Sequence, residues 1–423
     1  MFHFFDRFLH FPEGCVRDPA GIFRGRLFYT RRRLEPAFLK NWSLPVKKIS
    51  MAAACLTAFA AASAHAQSSV TLYGLVDAGI AYTNNVGGSG RVALASGNLS
   101  GSRFGLRGAE DLGGGLKAVF VLENGFGVNN GQLGQNSRVF GRQAYVGLSS
   151  GTVGTLTVGR QYDDVVDFVA PLSATAGTFG DSGFAHPYDN DNLQHSVRFN
   201  NAVKFTSLNY AGFKFGGMYA LSNSTGFAVS RAYSAGASYT SGPLTAAAGY
   251  LQTNGTAARV GSAFANTGGA VDQAEVKGNL TSDVQRTAAA GLSYAFGPAV
   301  LGFVYSHSQY QGTSALGLNN GSARFDNYEL NGMMNLTPAL KAGLSYAYTD
   351  AHLSGATAYG ADPKWSQVNA IARYALSRRT ELYAEAMYQH AAGNRNVATL
   401  YNAGGVSSTG NQVMGAVGML TRF

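Results

Sequence analysis

The chain ends in Val413-Met414-Gly415-Ala416-Val417-Gly418-Met419-Leu420-Thr421-Arg422-Phe423, and these residues sort by parity into two faces. Val413, Gly415, Val417, Met419, Thr421 and Phe423 share one face, while Met414, Ala416, Gly418, Leu420 and Arg422 share the other. A repeat of two is the period of a strand. Lipid offers no partners to backbone polar groups, so a sheet that spans it must close on itself. The segment therefore predicts a strand of a membrane β-barrel, lipid-facing at every second residue, with Phe423 in an interfacial aromatic girdle. Val70 to Tyr82 follows the same rule: Val70, Leu72, Val76, Ala78, Ile80 and Tyr82 point outward, and Thr71, Tyr73, Asp77, Gly79 and Ala81 point inward.

A mean hydropathy of −0.03 with 46% hydrophobic residues resembles a soluble protein because alternation hides apolar residues that a helix would place in a run. After residue 66 no apolar stretch is long enough for a spanning helix. The 55 glycines and 22 tyrosines suit tight turns and interfacial girdles.

Lys47 and Lys48 precede an apolar stretch from Ile49 to Ala62 and an Ala64-His65-Ala66 cleavage site, the pattern of a secretory signal over 46–66. The mature chain is expected to begin at Gln67. Residues 1–45 are basic, aromatic and aperiodic; they read as an extension from a misassigned start, with Val46 as initiator, an extended signal being the alternative. Residues 1–66 hold ten of the 32 Lys and Arg and four of the 23 Asp and Glu, so the net charge of +9 falls to +3 without them. The basicity is thus no argument for nucleic acid, and no basic segment with interleaved aromatics follows. Cys15 and Cys55 leave with the same segment, so the mature chain has no disulfide.

Sixteen strands are expected, near 70–82, 101–109, 115–124, 137–148, 153–160, 196–208, 213–221, 231–240, 244–252, 286–295, 299–310, 323–335, 340–350, 365–375, 380–390 and 411–423. An even number closes an antiparallel barrel. Short connectors such as Ser241-Gly242-Pro243 and Gly297-Pro298 carry turn chemistry and are assigned to the periplasmic side. The longer links, including 83–100, 253–285, 351–364 and 391–410, are assigned to the outside. Gln161 to His195 breaks the alternation over a length that usually signals function. Sixteen strands leave an aqueous lumen, which a long loop folded inward would narrow.

Several runs then coincide in order: Val70-Thr71-Leu72-Tyr73-Gly74, Ser102-Arg103-Phe104-Gly105-Leu106-Arg107-Gly108, Arg142-Gln143-Ala144-Tyr145-Val146-Gly147-Leu148, Leu156-Thr157-Val158-Gly159-Arg160-Gln161 and terminal Phe423. Together they resemble Gram-negative general diffusion porins, most closely those of β-proteobacteria, over residues 67–423. The resemblance implies an all-β, sixteen-stranded antiparallel transmembrane barrel in the outer membrane, a homotrimer with its third loop folded inward as a constriction. The chain departs from the family at Thr421, where relatives usually carry an aromatic or His. It departs again at Thr178-Phe179-Gly180-Asp181, where many relatives carry an acidic Pro-Glu-Phe-Gly stretch.

Parity puts Phe104 and Leu106 in lipid and Arg103, Gly105 and Arg107 in the lumen; a lipid-facing arginine near the midplane costs about 2–4 kcal/mol. In the sixth segment Val197, Phe199, Val203 and Phe205 read outward, and Arg198, Asn200, Lys204 and Thr206 inward. By the resemblance, Arg103, Arg142 and Arg198 form the basic side of the constriction, with Arg160 and Arg107 next. Asp181 is the first candidate for an opposing charge, and Asp163, Asp164 and Asp167 are candidates near the loop base. Guanidinium groups stay charged and, set against carboxylates, create a field that selects ions. More arginines than loop-tip acids predict weak anion selectivity.

Asp189, Asn190, Asp191 and Asn192 lack calcium-loop spacing and read as a turn. His186, His195, His307, His352 and His390 form no paired metal spacing, and no G-x-S-x-G elbow occurs, so neither enzyme, metal nor cofactor is implied. The expected partners are outer-membrane lipid, lipopolysaccharide and the small hydrophilic solutes and ions that diffuse through. A solute-specific porin and a plugged barrel acting as an adhesin or structural protein are the alternatives.

Overall fold

The computed structural model describes residues 69–423 apart from 178, 224, 256–269, 271–279, 281, 356–361 and 394–395. The signal at 46–66 and the extension at 1–45 lie outside the described residues. No described helix is long and apolar enough to cross a membrane.

The strands are β1 (Ser69–Val86), β2 (Ser89–Ser96), β3 (Arg103–Gly113), β4 (Leu116–Gly125), β5 (Gln143–Ser150), β6 (Gly154–Gln161), β7 (Phe199–Ser207), β8 (Phe213–Ala220) and β9 (Arg231–Ser241). They continue with β10 (Leu244–Asn254), β11 (Val284–Phe296), β12 (Ala299–Thr313), β13 (Gly321–Asn335), β14 (Leu340–Ser354), β15 (Lys364–Ala375), β16 (Thr380–Ala392) and β17 (Asn411–Arg422). Each pairs antiparallel with its neighbour, and β1 pairs with β17 from Leu75 against Arg422 to Thr83 against Met414. Gly74 and Phe423 exchange both backbone hydrogen bonds at 3.1 Å, so the closing seam runs to the last residue.

Seventeen segments make sixteen staves. β3 pairs with the lower half of β1 (Ser69 to Leu75) and β2 with the upper half (Ala78 to Val86), so together they form one interrupted strand. The expected external link 83–100 therefore contains an unexpected strand. The interruption is sharp at Gly97, where φ is 78° and a Cβ would lie 2.8 Å from the Gly101 Cα. The fourth stave begins at Gln143 rather than residue 137, because Gln135, Asn136 and Ser137 take left-handed backbone conformations in the preceding loop.

Parity is as expected along most of the wall. Val413, Val417 and Met419 are exposed on the outer surface, whereas Met414, Ala416 and Leu420 are buried inside. Strand β7 is the exception. Gly159 pairs with Ala202 and Gln161 with Phe199, leaving an extra residue in β7, and Asn201 sits at φ 55°. This bulge inverts the alternation above it. Val203 is exposed as expected, but Val197 and Phe199 are buried in an interior cluster, correcting their outward assignment.

That cluster is built around the long link between β6 and β7. Asp163 caps a short helix, α1 (Asp164–Phe168), its Oδ1 accepting from the backbone N–H groups of Val165 and Val166. Val165, Phe168, Val169 and Leu172 pack on Met218, Ala232, Ala247, Ala289 and Val304, each larger side chain contributing about 1.5–3 kcal/mol by burial. The wall is thinned to receive them: a Cβ on Gly236 would lie 2.6 Å from the Phe168 ring. Polar ties then run along the inner wall. Asn331 donates to Leu172 O at 2.9 Å, the Ala174 N–H donates to Glu329 Oε1 at 2.7 Å, and Arg373 Nη1 donates to Phe179 O at 2.6 Å. The link thus lies against lumen-facing residues from β8 to β16.

Candidate functional site

Beside this link lies a cavity of about 390 Å³. Four segments that the chain keeps far apart line it: Ser96, Gly97 and Gly101 at the break between β2 and β3; Gln135, Asn136 and Arg142 before β5; Gln194, His195, Ser196 and Arg198 before β7; and Tyr401 and Asn402 before β17. Ser182, on the long link, completes it.

Arg142 and Arg198 are both buried. The Arg142 Nε donates to Glu123 Oε1 at 2.7 Å, and its Nη2 lies 3.4 Å from His195 Nε2. Glu123 also accepts from the Tyr73 hydroxyl at 3.0 Å, so the carboxylate fixes the guanidinium from the wall side. Arg198 stacks over the Tyr162 ring at 5.3 Å and donates to Ser196 O at 2.9 Å. Arg103 does not line the cavity, but it donates to Ser100 Oγ at 2.8 Å and interacts electrostatically with Arg142, Glu123 and Arg198. The structure thus brings together three of the expected arginines. His195 lies among them with its ring edge-on to Tyr162 at 5.3 Å. Burial, then the charges of Arg142, Arg198 and Arg103, hold its imidazole well below the ordinary histidine range, so it is neutral at pH 7.

The other expected residues lie elsewhere. Arg107 stacks over Tyr73 at 5.3 Å, two inward positions below Arg103. Arg160 has the parity of exposed Val158, and its Nε donates to Gly141 O at 2.8 Å while its Nη1 donates to Asn200 Oδ1 at 2.6 Å. It is not among the cavity-lining residues. Asp181 is fully buried against the wall, its Oδ1 accepting from the Gly183 N–H at 2.8 Å and its carboxyl close to those of Glu385 and Asp77. It does not face the arginines. Asp163, Asp164 and Asp167 serve the loop base: Asp163 accepts from Asn192, Asp164 from Ser234, and Asp167 pairs with Lys204. Asp189 to Asn192 is a buried turn whose Asp191 binds His186 Nδ1 at 2.7 Å and the Ser306 hydroxyl. Among the described residues no group of His, Cys, Asp and Glu could hold a metal ion.

Parity alone points to neither Glu123 nor His195. Glu123 matters because β4 pairs it with Gln143, beside Arg142, and His195 lies where alternation fails.

A family profile described as Gram-negative porin matches residues 52–394. The chain belongs to the Gram-negative porin family. An outer membrane porin protein of Bordetella pertussis is 33% identical over 383 residues, covering 81% of this chain and 94% of its own. Among solved structures, an anion-selective porin from Comamonas acidovorans superposes with a TM-score of 0.65 at 25% identity, covering 84% of this chain and all of its own. An outer membrane protein of Vibrio cholerae in trimer form gives a TM-score of 0.61 at 16% identity, covering 84% of this chain and 99% of its own, a likeness of fold. This porin is a multi-pass barrel of the outer membrane, and its relatives are porins of β-proteobacteria.

Proposed function

We propose that this porin is a water-filled channel for passive diffusion of small hydrophilic solutes and ions, weakly selective for anions and without enzymatic activity. The observation that carries the reading is the imbalance of charge at the cavity. Arg142 and Arg198 line it with Arg103 beside them, Glu123 is the carboxylate paired there, and Asp181 is turned away into the wall. A cationic constriction lowers the energy of a passing anion and raises that of a cation. The anion-selective Comamonas relative supports the sign. Assembly as a homotrimer is supported by the trimer form of the Vibrio protein. Lipopolysaccharide and outer-membrane lipid surround the barrel in this reading, and the signal at 46–66 is cleaved before Gln67.

Planar bilayers test the selectivity directly. Under a tenfold gradient of potassium chloride, the reversal potential is expected to take the sign of chloride permeation, with large single-channel steps. A potential of potassium sign overturns the anion preference. Absence of conductance steps from correctly folded protein overturns the channel and favours a plugged barrel.

A further inference from the structure

One neutral side chain stands among the guanidinium groups of the cavity, and its backbone is strained. His195 takes a left-handed conformation, φ 54°, which residues other than glycine rarely adopt. The buried Asp189 carboxyl holds it from both flanks: Oδ1 accepts from the Gln194 N–H at 2.9 Å and Oδ2 from the Ser196 N–H at 3.2 Å. The His195 N–H itself donates to Asn192 O at 2.8 Å. Its ring meets Tyr162 edge-on, and the same Tyr162 ring carries Arg198, so the imidazole and this guanidinium share one support. A strained residue that its surroundings over-determine in this way is commonly a functional one.

The neighbouring arginine sets what this imidazole can do. Nε2 lies 3.4 Å from Arg142 Nη2, and a guanidinium can only donate, so Nε2 carries the lone pair and Nδ1 the proton. Glu123 takes the Arg142 Nε, which leaves this contact to the Nη2 group. At 3.4 Å the contact is long for a hydrogen bond, and the lone pair is open to a better-placed donor. Hydroxyl and amide groups on the lining, such as those of Asn136, Ser182 and Tyr401, can turn to donate or to accept. Nε2 can only accept. Two cationic donors and one fixed acceptor distinguish oxyanions by whether they bear a hydrogen. Sulfate would set an oxygen lone pair against that of Nε2. Hydrogen phosphate, of the same shape and charge, can give Nε2 its hydrogen while its other oxygens accept from Arg142 and Arg198.

We propose that His195 is a specificity-determining residue of the constriction, favouring tetrahedral oxyanions that bear a hydrogen, such as hydrogen phosphate, over sulfate. The preference deepens the anion-conducting reading given above and rests on it. Attraction and choice then belong to different side chains: the guanidinium groups act on charge, and the imidazole on a single hydrogen.

The test is block of chloride current through the full barrel in planar bilayers at pH 8, where phosphate and sulfate are both mainly dianions, at fixed ionic strength. Wild type is expected to be half-blocked by phosphate at a concentration about five- to tenfold lower than by sulfate, the worth of one net hydrogen bond. His195→Gly suits the left-handed backbone and removes the acceptor, and should bring the two concentrations within about twofold of each other. Its reversal potential should keep the chloride sign, which shows a folded pore with its arginines in place. Equal block of wild type by the two anions overturns the proposal and leaves the channel reading standing. So does a His195→Gly channel whose half-blocking concentrations rise together with their ratio intact, which reduces His195 to a support for Arg142. A wild-type reversal potential of potassium sign overturns both readings.

Discussion

Two charged regions meet the long link from opposite sides, and they are arranged differently. On the cavity side, Arg142 and Arg198 reach the lumen through one anchoring carboxylate and one aromatic ring. On the wall side, Asp77, Asp181 and Glu385 gather beneath the loop tip, all buried, with the Tyr383 hydroxyl donating to Asp77 at 2.7 Å. In the proposed channel a solute therefore meets the cations and not the acids. Counting charges on the loop and wall would predict a nearly balanced constriction; which of them are covered decides the field.

The contrast breaks most completely if the anchor is removed. Arg142 and Glu123 are both buried, so Glu123→Gln leaves an arginine without its counter-charge and should cost about 3 kcal/mol. Urea unfolding of the barrel from detergent or bilayer measures this, and a variant as stable as wild type would show that the lumen solvates Arg142 unaided.

The basic side can be erased while the acidic side stays intact. In water a fixed charge about 7 Å from a passing ion changes its energy by about 0.6 kcal/mol, or roughly threefold in permeation per charge. R142Q/R198Q should thus lower the chloride-to-potassium permeability ratio several-fold in reversal-potential measurements. Asp181→Asn should leave it within experimental error. A large effect of Asp181→Asn would mean that the loop-tip acid faces the pore in the working channel.

The buried carboxyls of the link also respond to pH. Burial pushes Asp163 to about 6 and, with the Asp191 charge beside it, Asp189 to about 7; burial raises Asp181 as well. A carboxyl whose folded pKa is raised binds its proton more tightly in the docked loop. Its contribution is complete below the unfolded value near 4 and is lost as pH rises toward 7. For His186 burial opposes the charge, but Asp191 outweighs it and lifts the imidazole to about 10, and Asp191 itself stays low, so that pair is ionised throughout this window. Hydrogen exchange of residues 163–196, corrected for intrinsic rates, should show protection falling from pH 4 to pH 7, and Asp189→Asn should flatten the slope. Rising protection would reverse the assignment.

Most of the wall was legible because lipid imposes a repeat of two that the chain cannot evade. The inward arginines Arg103 and Arg107 followed from the exposed Phe104 and Leu106 between and beside them. The break at Gln161 was legible for the same reason, as the place where the repeat stops. What parity cannot carry is a bulge, since one extra residue at Asn200–Asn201 turns Phe199 from lipid to core. Nor can it carry contacts made across the lumen. Asp181 lies in a segment without period, and only its docking on the inner wall decides whether it is a pore charge or a buried one. The strand at Ser89–Ser96 was hidden because a glycine- and serine-rich segment reads as loop, although the free upper edge of β1 recruits it.

The smallest expected effect isolates position from charge. Arg160 carries the same guanidinium as Arg142 and is also buried, yet it is spent on Gly141 O and Asn200 Oδ1 at the bulge. Arg160→Gln should leave the reversal potential unchanged. It removes a charge-assisted hydrogen bond to Asn200, a loss of about 1.5–3 kcal/mol, and so should loosen the upper end of β7. Faster hydrogen exchange at residues 199–202 with unaltered selectivity separates an arginine that shapes the wall from those that shape the field. A shift in selectivity as large as that of R142Q/R198Q would move Arg160 into the constriction and make the local register of β7 differ in the conducting channel.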